Sequence, residues 1–407
     1  MLALPLGCFV ADDGNDEVAE TETETGAESS TSMDTSTSDT TTGEPTCVDA
    51  IDLLFVIDNS GTMGSSQRRL VESIGVLVEQ LDQAGMDWRI GVTTTDNGNP
   101  WCPAGTTTPE GGKLVASSCR SRLGDFLFSD TVDVQDEACN DLCGSDSIDL
   151  GGKPWIESID GVANTPDVAE ALACILPQGV NGCGFEAPLE SMYLALARAQ
   201  DQNESNYGFI REDARLAVVF VSDEADCSYD KDWADIFAQD GNKVFWSDPT
   251  ASFPTSAVCW NAGVECTGAG PQFDECMPVD KDVNGLTTGD PDAAVLQPVA
   301  RYTALLDGLR ANKQALNPGA EVLVFGIVGV GLDGQLVYQD VGASDPAFQD
   351  SFGIGPGCQG PAGTTAVPPV RMRNLITKFD GSMHSICADQ YGDAFTAIAD
   401  RVAVECP

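Results

Sequence analysis

Asp58 and Asp223 each follow a strongly apolar run, Ile51-Asp52-Leu53-Leu54-Phe55-Val56-Ile57 in the first case and Leu216-Ala217-Val218-Val219-Phe220-Val221-Ser222 in the second. The residues after Asp58 are Asn59-Ser60-Gly61-Thr62, so a carboxylate and two hydroxyls alternate at positions 58, 60 and 62. A turn can aim all three at one ion. Oxygen donors of this kind suit a hard divalent cation, Mg²⁺ or else Ca²⁺ or Mn²⁺. A water left in the coordination sphere holds a place that an acidic group from a partner can take, which makes the expected chemistry ligand binding through a metal. The same residues also build ordinary Asp/Ser/Gly turns. Their place directly behind a buried strand favours the metal reading.

The surrounding chain supplies the frame. Runs that are apolar on both faces read as central parallel strands covered by helices. They fall at 51–57, 88–95, 216–222 and 321–330, with a further strand expected at 382–388. Between them, helical spacing is read from Ser65 or Ser66 to Leu81, at 166–175, 187–200, 295–315, 370–378 and 391–404. Alternating strands and helices predict an α/β fold, a doubly wound and mainly parallel sheet that takes ligands at the carboxyl ends of its strands. Stretches near 96–161, 229–292 and 331–369, rich in Gly, Asp, Pro and Cys, read as disulfide-pinned insertions.

At this point the chain resembles the von Willebrand factor type A domain family. That family's metal-ion-dependent adhesion site opens with an Asp-x-Ser-x-Ser loop after the first strand, matched here by Asp58-Asn59-Ser60-Gly61-Thr62, with Thr keeping the third hydroxyl. The family's closing carboxylate after a later buried strand is matched by Asp223 in Val219-Phe220-Val221-Ser222-Asp223-Glu224. The Thr that the family places in a Gly-containing loop between them is absent. Gly182-Cys183-Gly184-Phe185-Glu186-Ala187-Pro188 stands there, and Glu186 is the substitute ligand, adding negative charge that would favour Ca²⁺ or Mn²⁺. Asp226 and Glu224 are expected to support the ion from behind. The resemblance covers the framework from about 47 to 406, a Rossmann-like fold carrying insertions. It implies metal-dependent adhesion to a protein or glycan rather than an enzyme.

A second cation loop is suggested at Asp280-Lys281-Asp282-Val283-Asn284-Gly285, which matches the opening of an EF-hand with donors at Asp280, Asp282 and Asn284. The expected twelfth-place Glu is missing, since Pro291 stands there. An acidic surface loop is the preferred reading of these residues over a structural calcium site.

Composition narrows the partners. With 64 Asp and Glu against 20 Lys and Arg, the net charge is −44, which repels phosphate backbones, so no nucleic acid is expected. The single histidine, His384, cannot furnish His-based zinc sites or nucleophile relays. Fifteen cysteines point to an oxidising compartment. Cys139-x-x-x-Cys143 could open a zinc site, but no second close thiol or histidine pair completes it, and disulfides are the preferred reading. Cys139 with Cys143, Cys174 with Cys183 and Cys266 with Cys276 are short-range pairing candidates. Cys47 and Cys406 bracket the domain and are expected to pair.

The odd cysteine is Cys8. Leu4-Pro5-Leu6-Gly7-Cys8 resembles the end of a bacterial lipoprotein signal, truncated because only seven residues precede the cysteine that would be lipidated. Residues 9–46 follow as an acidic Ser/Thr-rich tether, with eleven acids and no base between Asp12 and Glu44, a composition that does not fold alone. Signal-like segment, tether and a domain from 47 to 407 describe a protein held outside the cytoplasm by a lipid, on the outer membrane surface or facing the periplasm. Two rivals are carried: a disulfide-stapled structural lipoprotein whose metal site is vestigial, and a metal-dependent hydrolase using Glu186 or Glu224 as base.

Overall fold

A computed structural model of the chain describes residues 47–102, 107, 109–129, 131–360 and 363–403. The expected signal-like segment, the tether and Cys406 lie outside them.

Strand β1 (Ala50–Ile57) is buried along nearly its whole length because its alternate residues meet two different helical layers. Ile51, Leu53, Phe55 and Ile57 face one core, shared with Leu70, Leu77 and Leu81 of α1 (Gly64–Ser73) and α2 (Gly75–Gln83). Leu54 and Val56 face the other. β1 lies parallel to β2 (Asp87–Thr94) on one side. On the other side of β2 an antiparallel hairpin, β3 (Ile156–Ile159) and β4 (Val162–Ala163), closes the edge. Helix α3 (Val168–Ile175) then joins the first layer, and α4 (Pro188–Gln200) the second.

The chain returns to the far side of β1 as β5 (Arg215–Val221), again parallel. Helix α5 (Val299–Leu316), strand β6 (Val322–Val328), helix α6 (Val370–Lys378), strand β7 (Met383–Ser385) and helix α7 (Gly392–Val402) complete the framework. The order across the sheet is β7-β6-β5-β1-β2-β3-β4. The fold is therefore α/β, with a mostly parallel seven-stranded sheet between helical layers. Connections leave β1 in opposite directions, towards β2 and, later, towards β5. Such a reversal leaves a crevice at the carboxyl ends of the strands, where open α/β sheets bind ligands.

Three expectations are corrected. The single helix from Ser65 or Ser66 to Leu81 is two helices, and neither serine caps it: both lie inside α1, where they receive the Arg69 guanidinium. The insertion at 96–161 ends earlier than composition suggested, because β3 belongs to the sheet. Its Glu157 reads as a loop residue but is held by Arg89 of β2 at 3.1 Å and by the Trp155 indole at 2.9 Å. The third correction is disulfide pairing. Cys139 bonds to Cys119, Cys143 to Cys174 and Cys183 to Cys102, while Cys266–Cys276 pairs as expected. A turn closed by the Cys143 amide on the Asn140 carbonyl separates Cys139 from Cys143, and the fold brings Cys119 to the first and Cys174 to the second. Cys227–Cys259 and Cys358–Cys387 bring the bonds among the described residues to six, and Cys47 is also disulfide-bonded. Disulfides in this number belong to an oxidising, extracellular-type environment. Among the described residues no helix is long and apolar enough to cross a membrane.

Candidate metal centre at the sheet's switch point

The ends of β1 and β5 are locked side by side. The Asp58 amide donates to the Val221 carbonyl at 2.9 Å, so the residue that ends one strand is placed by the strand beside it. The carboxylate of Asp58 is fully buried, one oxygen accepting from the Ser60 amide at 2.8 Å and the other from the Ser222 hydroxyl at 2.7 Å. The hydroxyls of Ser60 and Thr62 lie 3.5 Å apart, and Thr62 also hydrogen-bonds Asp223. Asp58, Ser60, Thr62 and Asp223 thus converge as the spacing predicted.

Glu186 joins them through a loop tied down at both ends. Gly182 donates to the Asn59 carbonyl at 2.7 Å and the Glu186 carbonyl accepts from Cys227 at 2.7 Å. A Cβ at Gly182 would lie 2.3 Å from the Asn59 side chain, which would have to shift to admit it. The disulfides Cys102–Cys183 and Cys227–Cys259 pin the loop bearing Glu186 and the loop that follows Asp223. Cys183, expected to pair with Cys174, ties the Glu186 loop to Cys102 instead.

The electrostatics are one-sided. Burial pushes Glu186 well above the usual carboxylate range, and the charges of Asp58, Glu224 and Asp223 add to it. Asp223 is raised to about 7, first by burial and then by Asp58, against partial relief from the Thr62 hydroxyl and Arg69. Glu224 is driven well above its ordinary value by burial and by Asp223 and Asp58, and burial also raises Asp58 despite the Ser222 and Ser60 hydrogen bonds. Glu186 Oε1, Asp223 Oδ1 and Glu224 Oε2 are buried atoms without a hydrogen-bond partner among the described residues. Unsatisfied buried carboxylate oxygens are costly. A divalent cation fits: the donors are hard oxygens, and its charge relieves the repulsion.

Two further residues position the cluster, and neither was read from the sequence. Ser222 holds the Asp58 carboxylate and accepts from the Glu224 amide at 3.1 Å. Gln67 of α1 is fully buried, its side-chain amide donating to the carbonyls of Asp58 and Gly179 at 2.9 and 2.7 Å, its oxygen accepting from the amides of Gln178 and Gly179 at 3.0 Å each. A lone Gln carries no signal of such a role; Ser222, next to a strand-end Asp, carried a faint one.

Asp226 does not support the cluster. Its carboxylate is spent on a buried ion pair with Arg371 at 2.8 Å, on the Leu189 amide at 3.1 Å and on the Ser228 hydroxyl at 2.6 Å. It caps α4 from outside the helix. Replacing Asp226 with Ala leaves Arg371 charged, buried and unpaired, and is expected to cost about 3 kcal/mol in denaturant unfolding. Cation affinity measured on the folded variant should be unchanged.

At the second suggested loop, Asp282 accepts from the amides of Asn284 and Leu286 at 2.9 and 3.0 Å, and Gly285 takes the positive φ of the turn. These amides hold the Asp282 carboxyl below its usual range without a cation. Burial raises Asp280 modestly, and Asn284 reaches back to Asp282. The loop satisfies itself. Elsewhere, the sulfurs of Cys119, Cys139 and Cys143 lie within 4.8 Å of one another, but all three are engaged in disulfides and offer no thiolate. His384 sits on β7 with Nε2 2.7 Å from the Ser382 hydroxyl.

Two clefts open at the cluster. One of about 850 Å³ is bounded by Ser60, Thr62, Glu186 and Glu224, with walls from Trp101, Phe128 and Phe352. The other, about 330 Å³, shares Thr62, Glu224 and Phe352 and adds Asp223 and Phe348. A separate hollow of about 730 Å³ beside Glu72, Arg120 and Asp136 has none of the site residues on its wall.

Compared with known proteins, the chain matches no family model, and no curated protein matches it.

Proposed function

We propose that this protein is a divalent-cation-dependent binding module of the von Willebrand factor type A kind, held outside the cytoplasm and anchored through lipid on Cys8. The observation that carries this reading is the convergence of three unpartnered, buried carboxylate oxygens with the Ser60 and Thr62 hydroxyls at the switch point of the sheet. Asp58, Ser60, Thr62, Glu186 and Asp223 would hold the ion. When bound, the ion supplies an open coordination position for a donor from a protein or glycan partner. The chain's own residues do the rest: Ser222 and Gln67 fix the first loop, the disulfides fix the other two, and the flanking clefts admit the partner.

A vestigial site is the weaker alternative. Carboxylates kept buried and unpaired after loss of their ion would be a standing cost with nothing to offset it.

The test is retention of extracellular protein and polysaccharide fractions on the immobilised chain in Mg²⁺ or Ca²⁺. Retention lost in chelator and in Asp58→Asn supports the reading. Retention indifferent to both moves the function elsewhere on the molecule.

A further inference from the structure

We infer that the larger cleft receives an arginine side chain, flanked by apolar residues, from a protein partner. Its floor carries Glu186, only 2% exposed with Oε1 unpartnered, and Glu224 with Oε2 unpartnered. Its walls are aromatic: Trp101 and Phe128 are 40% and 39% exposed, and Phe352 also lines the cleft. Trp101 and Phe128 come from the first insertion and Phe352 from the last, and the first two are held in place. Phe128 lies against Gly61, where a Cβ would come within 3.0 Å of the ring, and Trp101 adjoins Cys102, which is bonded to Cys183 three residues before Glu186.

Charge selects the occupant. Asp58, Glu186, Asp223 and Glu224 carry four negative charges when ionised, of which one divalent ion offsets two and nearby Arg69 a third at most. The adhesion site of the resembled family takes an acidic group on its ion. Here a carboxylate would restore the excess, whereas a cation removes it. Among cations the guanidinium suits these walls best. It is planar and weakly hydrated, stacks on aromatic faces and offers forked donors to carboxylates. A cleft of about 850 Å³ is larger than one side chain, so the apolar neighbours of the arginine share the rings. The cleft's carboxyl groups and rings are present with or without an ion, so the inference rests on the binding role proposed above and not on the metal.

A random heptapeptide phage library panned on the full chain, in Mg²⁺ and in chelator, tests it. Arginine next to apolar residues should be enriched, and exchanging that arginine for Glu in the best synthetic peptide should weaken binding at least about tenfold by calorimetry. Phe128→Ala and Glu224→Gln, each checked by circular dichroism for the native fold, should weaken it comparably. Enrichment of acidic peptides, lost in chelator, overturns this inference and leaves the metal-dependent function standing. Arginine peptides that bind equally well in chelator and in Asp58→Asn keep the inference and remove the metal reading. Absence of enrichment, or basic peptides indifferent to Phe128→Ala and Glu224→Gln, reduces the effect to attraction by the −44 surface and overturns it.

Discussion

Titration of Mg²⁺, Ca²⁺ or Mn²⁺ into the chelator-stripped protein is expected to give a one-site isotherm that Asp58→Asn and Asp223→Asn each weaken by more than about 100-fold, since second-shell changes alone cost roughly 10–100-fold. Both carboxylates are buried at the ends of adjacent strands, and neither can be replaced by a neighbour without moving β1 or β5. Asn is the informative substitution at position 58, because Ala would also strand the Ser222 hydroxyl and the Ser60 amide that Asp58 now satisfies. The same ligation should raise stability. Ion at 100 times its Kd adds about 2.7 kcal/mol to unfolding, so the wild-type melting temperature climbs on adding metal and that of the variants does not. Glu186→Gln should lie between these extremes, losing affinity while making the metal-free protein more stable through relief of its repulsion with Asp58, Glu224 and Asp223. Binding unchanged in the two Asp variants sinks the strand-end site.

Much of the frame was legible in the sequence because burial on both faces leaves a strong trace. The apolar runs at 51–57 and 216–222 became β1 and β5, and the strand-end position of Asp58 and Asp223 followed from them. What escaped reading was held together by single hydrogen bonds or by distant partners. β3 is a short strand next to the edge whose polar Glu157 answers Arg89 across the pair, so it shows neither alternation nor a continuous apolar run. Asp226 looked like a reserve ligand because it follows Asp223 closely, but Arg371 lies 145 residues away and nothing local announces their meeting. Gln67 and Gly182 act through backbone carbonyls, which sequence patterns do not display. Disulfide partners are likewise fixed by the fold, and proximity in sequence misassigned four of the cysteines, Cys139, Cys143, Cys174 and Cys183.

Protonation gives the second large effect. The carboxyls of Glu186, Asp223 and Glu224 all titrate above their ordinary values in the folded, metal-free protein, Asp223 at about 7. Unfolded, they titrate at ordinary values near 4. Between these limits the folded state holds protons that the unfolded state has released, so stability is full below about pH 4 and is lost as pH rises through the folded values. For Asp223 alone, the displacement from 3.8 to about 7 corresponds to roughly 4 kcal/mol. The denaturant midpoint of the metal-free chain should therefore fall between pH 4.5 and 8. General repulsion within a chain of charge −44 acts in the same direction. Glu186→Gln separates the two causes: it changes the total charge by one yet should flatten the slope visibly. Added cation must displace those protons, which means that at pH 6 calorimetry in buffers of different ionisation enthalpy should register release of more than one proton per ion. Affinity accordingly rises with pH while metal-free stability falls. A flat stability profile together with no proton release at pH 6 would contradict the shared burial of these carboxylates, and with it the reason for a cation to bind among them.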